Sequence, residues 1–182
     1  MKFIPTEIPD VIVIEPDVFG DGRGFFMETW HAEKFAVGGI AANFVQDNHS
    51  RSVQGILRGL HYQIRKPQGK LVRVLNGAVF DVAVDLRKNS STFGNWVGMI
   101  LSEENKKMLW VPPGFAHGFY VTSQQADFFY KCTDFYTPEY ERSIRWDDSD
   151  LGIDWPLING EPPVLAPKDA DAPKFKDAEY YE

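Results

Sequence analysis

The chain has 182 residues, of which 43% are hydrophobic, 14% aromatic and 25% charged, with a formal net charge of -7. That length supports one domain with a full core and is too short for two of ordinary size, so residues 1–182 are expected to fold as a single unit. The acidic balance excludes a general nucleic-acid binder, which needs a basic face against phosphates, yet leaves room for an anionic small ligand held by a few of Arg23, Arg58, Lys70 and Arg73.

The single cysteine, Cys132, cannot form an internal disulfide, and no apolar run reaches the ~18 residues of a membrane span. The expected setting is the cytoplasm, with no membrane partner. Residues 11–14 lie between Pro9 and Pro16 and are predicted to be a short strand with its ends set by proline. Residues 19–24 form a turn cluster in which Arg23 is the only long side chain; residues 25–30 read as a strand and 31–36 as one or two helical turns. Residues 44–50 start apolar and end in hydrogen-bonding side chains, the pattern of a strand running to the rim of a cavity.

Residues 55–63 and 69–74 come next, and they place Arg58, His61, Lys70 and Arg73 in strand-forming runs, where ionisable groups need partners or a task. Residues 79–87 alternate, with Phe80, Val82, Val84 and Leu86 on one face and Asp81 and Asp85 on the other. Further strands are predicted at 96–101 and 108–111, separated by a polar turn at 103–106. After the turn at 112–114, residues 116–121 and 127–132 read as a pair of strands. Short strands with turn signals at roughly ten-residue spacing predict an antiparallel sandwich or barrel. The tail from Pro162 is rich in proline and charge, with a helix start at 166–171.

His61 and His117 are the leading proton-transfer groups, because an imidazole of pKa ~6.5 exchanges a proton near neutral pH. His31 and His49 are read as structural. A catalytic metal is not expected: the His-x-His pair usual in metal-binding barrels of this kind is missing, and a site would have to be assembled by convergence of His49, His61 and His117 from different strands. Taken alone, Lys70 reads as a solvated strand residue, Tyr130 as a core tyrosine, Asp169 as a helix-start residue and Cys132 as a small buried apolar group.

Together these residues carry a resemblance. In the segments 19–28, 46–50, 55–63, 69–73, 79–87, 110–119, 130–136 and 154–157 the sequence resembles the dTDP-4-dehydrorhamnose 3,5-epimerase family, over essentially the whole chain. The resemblance implies a mainly β fold, a cupin-type antiparallel jelly-roll barrel with short helices at the C-terminal end, and a homodimer that shares N-terminal strands so that each site is completed by its neighbour. It implies cofactor-free and metal-free inversion of dTDP-4-dehydro-6-deoxy-D-glucose at C3 and C5.

By that likeness His61 is the general base oriented by Asp169, Tyr130 is the acid on the opposite face, and Lys70 stabilises the enolate with help from His117 and Arg58. Arg23, Phe26, Glu28, Gln46 and Asn48 hold the nucleotide and diphosphate, and Tyr136 also belongs to the substrate site. The sequence departs from the family pattern in two places: the loop 62–69 is one residue shorter, and Ala166 stands where a serine is usual. A single-position epimerase of a related dTDP-4-keto-deoxysugar pathway would share the same base, lysine and tyrosine. A metal-dependent cupin enzyme and a sugar-binding module are the alternatives from other classes.

Overall fold

A computed structural model describes residues 1–182 and shows two antiparallel sheets facing each other. The larger has six strands in the order β1 (Lys2–Pro5), β2 (Ile12–Glu15), β10 (Met108–Val111), β7 (Lys70–Asn76), β12 (Gln125–Cys132) and β5 (Gln46–Val53). The smaller has five, β13 (Glu141–Ser143), β6 (Leu57–Gln63), β11 (Phe115–Val121), β8 (Ala78–Asp85) and β9 (Trp96–Ser102). A hairpin of β3 (Val18–Asp21) and β4 (Gly24–Met27) pairs with neither sheet. The architecture is the cupin-type jelly roll.

Strand alternation builds three apolar layers. Val72, Val74, Phe119 and Phe128 meet between the sheets. Leu71, Met108 and Trp110, on the opposite faces of their strands, pack outward beneath helix α1 (Ala32–Val37) with Phe35. On the outside of the smaller sheet, Val82, Val84 and Leu86 are covered by the C-terminal segment through Ile144, Leu151 and Trp155, and that segment includes helix α2 (Pro167–Ala170). His31 caps α1, its Nδ1 accepting the Lys34 N–H at 3.5 Å. No helix is long and apolar enough to cross a membrane.

Two expectations change. The stretches 116–121 and 127–132 are both strands but are not partners: β11 pairs with β6 and β8, whereas β12 pairs with β5 and β7, so the chain crosses from one sheet to the other between them. The turn cluster at 19–24 is the end of β3, a two-residue turn at Gly22 and Arg23, and the start of β4. Asp81 and Asp85, on the other face of β8 from Val82 and Val84, are both fully buried.

Asp85 accepts hydrogen bonds from Arg87 Nη2 at 2.8 Å, Ser90 Oγ at 2.6 Å and Thr92 Oγ1 at 2.7 Å. Burial alone would raise its carboxyl; the Arg87, Ser90 and Thr92 donors outweigh that and bring it from 3.8 down to about 2.

Gly59 and Gly118 explain how β6 and β11 approach so closely. A Cβ at Gly59 would lie 2.5 Å from Gly118 Cα, and one at Gly118 would lie 2.9 Å from the Arg58 carbonyl oxygen. Gly59 also has φ of +138°, which side-chain-bearing residues rarely adopt. The register shifts between His117 and Phe119, and His117 lies directly opposite His61.

Gly59→Ala is therefore expected to destabilise the fold by about 3 kcal/mol, from backbone overlap plus strain, seen as a lowered urea midpoint. Because the folded pKa of Asp85 lies below its unfolded value, its contribution to stability is complete above the unfolded pKa and disappears as pH falls from 3.8 toward about 2. Asp85→Asn should lower stability at pH 6 and flatten its dependence across that acid window in urea titrations.

Candidate active site

Between the sheets lies a cavity of about 600 Å³ whose lining includes Gln46, Asn48, Arg58, His61, Lys70, His117, Tyr130, Tyr136 and Asp169. Its two walls differ in chemistry because they belong to different sheets. His61 and His117 face in from β6 and β11 of the smaller sheet. Lys70 and Tyr130 face in from β7 and β12 of the larger one, with Gln46 and Asn48 beside them on β5. The two-residue repeat of β5 sends the alternate residues Asp47 and Arg51 outward, to pair with Lys131 and Asp127.

His61 Nε2 donates to Asp169 Oδ1 at 2.6 Å. Asp169 is 2% exposed and also accepts the Gly59 N–H at 3.5 Å. Burial alone would raise its carboxyl, but the His61 hydrogen bond and charge, aided by Gly59, hold it below the usual carboxylate range. α2 delivers Asp169 with Pro167 at its first position and no side-chain cap from Ala166. The serine usual at that place is thus not needed to bring the carboxylate to His61.

His117 has its own carboxylate: Nε2 is 3.0 Å from both Oδ1 and Oδ2 of buried Asp81. His49, on the outer face of β5, pairs with Asp127 at 3.5 Å. The three histidines therefore have three separate carboxylate partners, and no group of three or more His, Cys, Asp or Glu side chains is arranged to hold a metal ion.

The Lys70 ammonium makes no hydrogen bond or ion pair within the chain and lies 5.9 Å from the centroid of the Tyr130 ring. Desolvation pulls its pKa below the ordinary lysine value. The Tyr130 phenol moves the other way, pushed up to about 12, first by burial and then by the neighbouring Cys132, with Arg58 opposing. Arg58 Nε donates to Ser52 Oγ at 3.0 Å, bridging from the smaller sheet to β5.

Arg23, Phe26 and Glu28 are not in the cavity of their own chain. Arg23 is at the tip of the β3–β4 hairpin, 91% exposed in its side chain and paired with Asp21; Phe26 is 70% exposed; Glu28 pairs with Lys34 at 2.8 Å. Two further cavity residues carry charges that sequence inspection passed over. Glu141 accepts from Lys168 Nζ at 2.9 Å and from the Tyr136 hydroxyl at 3.1 Å. Burial would raise the Glu141 carboxyl, and the Lys168 partner outweighs that and lowers it. Neither residue sits in a periodic run, so only tertiary proximity marks them. Asp81 did leave a signal, as a carboxylate in phase with the inward side of an apolar strand.

A family model described as dTDP-4-dehydrorhamnose 3,5-epimerase matches residues 5–177. The chain belongs to that family. It is therefore an isomerase. It is 57% identical over 182 residues to dTDP-4-dehydrorhamnose 3,5-epimerase of Pseudomonas aeruginosa, covering 100% of this chain and 99% of the relative.

Among solved structures it is similar to the dTDP-6-deoxy-D-glucose-3,5-epimerase of Legionella pneumophila in complex with dTDP-4-keto-L-rhamnose, with a TM-score of 0.94, 56% identity and coverage of 98% and 94% of the two chains. A 3'-monoepimerase from Streptomyces bikiniensis in complex with dTDP-quinovose shares the fold at a TM-score of 0.87 and 32% identity, with coverage of 94% and 86%.

Lys70→Met should keep or raise the melting temperature while removing turnover, because it replaces a desolvated, unpartnered ammonium with an apolar chain of similar length. Calorimetry beside an activity assay checks both halves, and a large fall in melting temperature would show that Lys70 is held for the fold.

Proposed function

We propose that the chain inverts dTDP-4-dehydro-6-deoxy-D-glucose at C3 and C5, giving dTDP-4-dehydro-L-rhamnose. The observation that carries the mechanism is the placement of a His61–Asp169 pair on one wall and of Tyr130 and Lys70 on the facing wall. Both target carbons flank the C4 ketone, so loss of either proton gives an enolate with its charge on one oxygen.

With Asp169 accepting from Nε2–H, the imidazole keeps Nδ1 as the basic nitrogen, and the carboxylate stabilises the imidazolium formed on proton abstraction. Lys70, free of any partner in its own chain, stabilises the enolate oxygen, with Arg58 and His117 nearby; such a contact is worth ~3 to 4 kcal/mol. Tyr130 then delivers a proton to the opposite face of the ring. Its raised pKa makes the resulting phenolate recapture a proton from water, and His61 returns its own proton to water, so the enzyme is reset for the second carbon. No step calls for a metal or cofactor.

The homodimer is part of the proposal. The β3–β4 hairpin exposes Phe19, Phe25 and Phe26 and pairs with neither sheet of its own chain, while β5, beside the cavity, is an unpaired sheet edge. A partner's hairpin placed along that edge would bring Arg23, Phe26 and Glu28 to Gln46 and Asn48, where they would hold the nucleotide. The cytoplasm suits a chain whose only cysteine, Cys132, is a buried free thiol.

The deciding experiment follows the C3 and C5 protons of the substrate by NMR in heavy water. Loss of both signals with formation of the L-sugar is expected; loss of one indicates a single-position epimerase, and loss of neither removes the proposal. His61→Ala should abolish exchange at both carbons. Tyr130→Phe should still exchange protons and lose inversion by about 10²-fold or more. Phe26→Ser should raise KM and shift the protein toward monomer in sedimentation, whereas an unchanged KM would remove the hairpin from the site.

A further inference from the structure

Gln63 ends the strand that carries His61, is 3% exposed, and does not line the cavity. Its amide is nonetheless fully engaged. Nε2 donates to the Lys66 carbonyl at 2.8 Å and to the Phe135 carbonyl at 3.3 Å, while Oε1 accepts the Thr137 N–H at 2.7 Å. One side chain thus grips the residues on both sides of Tyr136.

Two other amides continue the pattern. The Tyr136 N–H itself goes to Gln46 Oε1 at 2.9 Å, and Gln68 Nε2 donates to the Asp134 carbonyl at 2.8 Å. Between β12 and β13 the backbone N–H groups of Phe135, Tyr136 and Thr137 are thus taken by side chains, where a strand would give them to a neighbouring ladder. The same Gln63 amide closes the shortened loop at Lys66, which adopts φ of 52°. Tyr136, at the cavity mouth, is half exposed, and its hydroxyl donates to Glu141, the residue opposite Gln63 in the β6–β13 register.

We propose that Gln63 is a positioning residue that fixes Tyr136 as a rigid wall of the substrate site, with its amide joining the base-bearing strand to the loop that carries the ring. This rests on the function proposed above, with Tyr136, which lines the cavity, meeting the substrate bound there. A wall that touches no reacting atom contributes equally to substrate and transition-state binding, so its loss appears in KM and not in kcat. Gln63 acts only through the loop, so its effect vanishes when the ring is gone.

The test uses steady-state kinetics on dTDP-4-dehydro-6-deoxy-D-glucose with Gln63→Met, Tyr136→Ala and the double variant. Gln63→Met is expected to raise KM about tenfold with kcat within about threefold of wild type. In the Tyr136→Ala background the same change should raise KM by less than about twofold, the non-additivity of residues acting as a unit. Gln63→Asn keeps an uncharged amide one methylene shorter, so it should fall between wild type and Gln63→Met, and it carries the test if the methionine variant does not fold.

An unchanged KM in the folded Gln63 variants, or a full tenfold effect that persists without the Tyr136 ring, overturns the role. A wild-type enzyme that exchanges neither proton overturns the underlying function instead. The two failures are thus told apart by the wild-type control.

Discussion

A carboxylate withdrawn from water has to be held by donors, and Asp169 is held by two, the His61 ring and the Gly59 N–H. That arrangement ties a four-residue helix near the C-terminus to β6, the second strand of the smaller sheet. It also decides which imidazole nitrogen carries a proton. Other features serve it: the glycine pair that lets β6 and β11 approach, and the C-terminal segment packed on Val82, Val84 and Leu86. Without that apolar cover, helix α2 would have no reason to lie where Asp169 reaches His61.

The interior divides its polar groups into two kinds. His117 and Asp81 satisfy one another, and Asp85 is satisfied by Arg87, Ser90 and Thr92. Lys70 has no such partner, and Tyr130 has none among the hydrogen bonds of its own chain. Burial pushes both away from their charged forms, Lys70 downward and Tyr130 upward. An unsatisfied cation in a cavity is a cost to the fold that a substrate oxygen can offset, which is the usual mark of a functional group and not of a structural one.

Most strands were legible because a two-residue repeat is a local property of the chain. Residues 79–87 show it clearly, and their apolar face is buried as predicted. What the repeat does not encode is whether the opposite face meets water or a second sheet; in β8 it carries Asp81 and Asp85 to a buried side. Pairing was less legible still. β11 and β12 are neighbours in sequence and their patterns match a hairpin, yet they lie in opposite sheets, because the closure of a jelly roll is set by long-range packing and not by adjacency. Arg58, His61, Lys70 and His117 stood out as ionisable groups in strand-forming runs, whereas Tyr130 and Asp169 became visible only through the family resemblance; Glu141 and Lys168, in a three-residue strand and a four-residue helix too short to show a period, were seen only once the chain was folded.

The sequence by itself determined the β-rich class, the short helical segments near 31–36 and 166–171, and the family, because alternation, proline and glycine positions and long motifs are all written along the chain. Tertiary structure alone decided that His61 and Tyr130 face each other from different sheets, that each of His61 and His117 has its own carboxylate, and that Arg23, Phe26 and Glu28 lie outside their own chain's cavity. The reason is physical. Local propensity fixes where a strand begins and which residues share its face, whereas the contacts that set proton position and pKa join residues as far apart as 61 and 169, and these exist only after the sheets have closed on a common core.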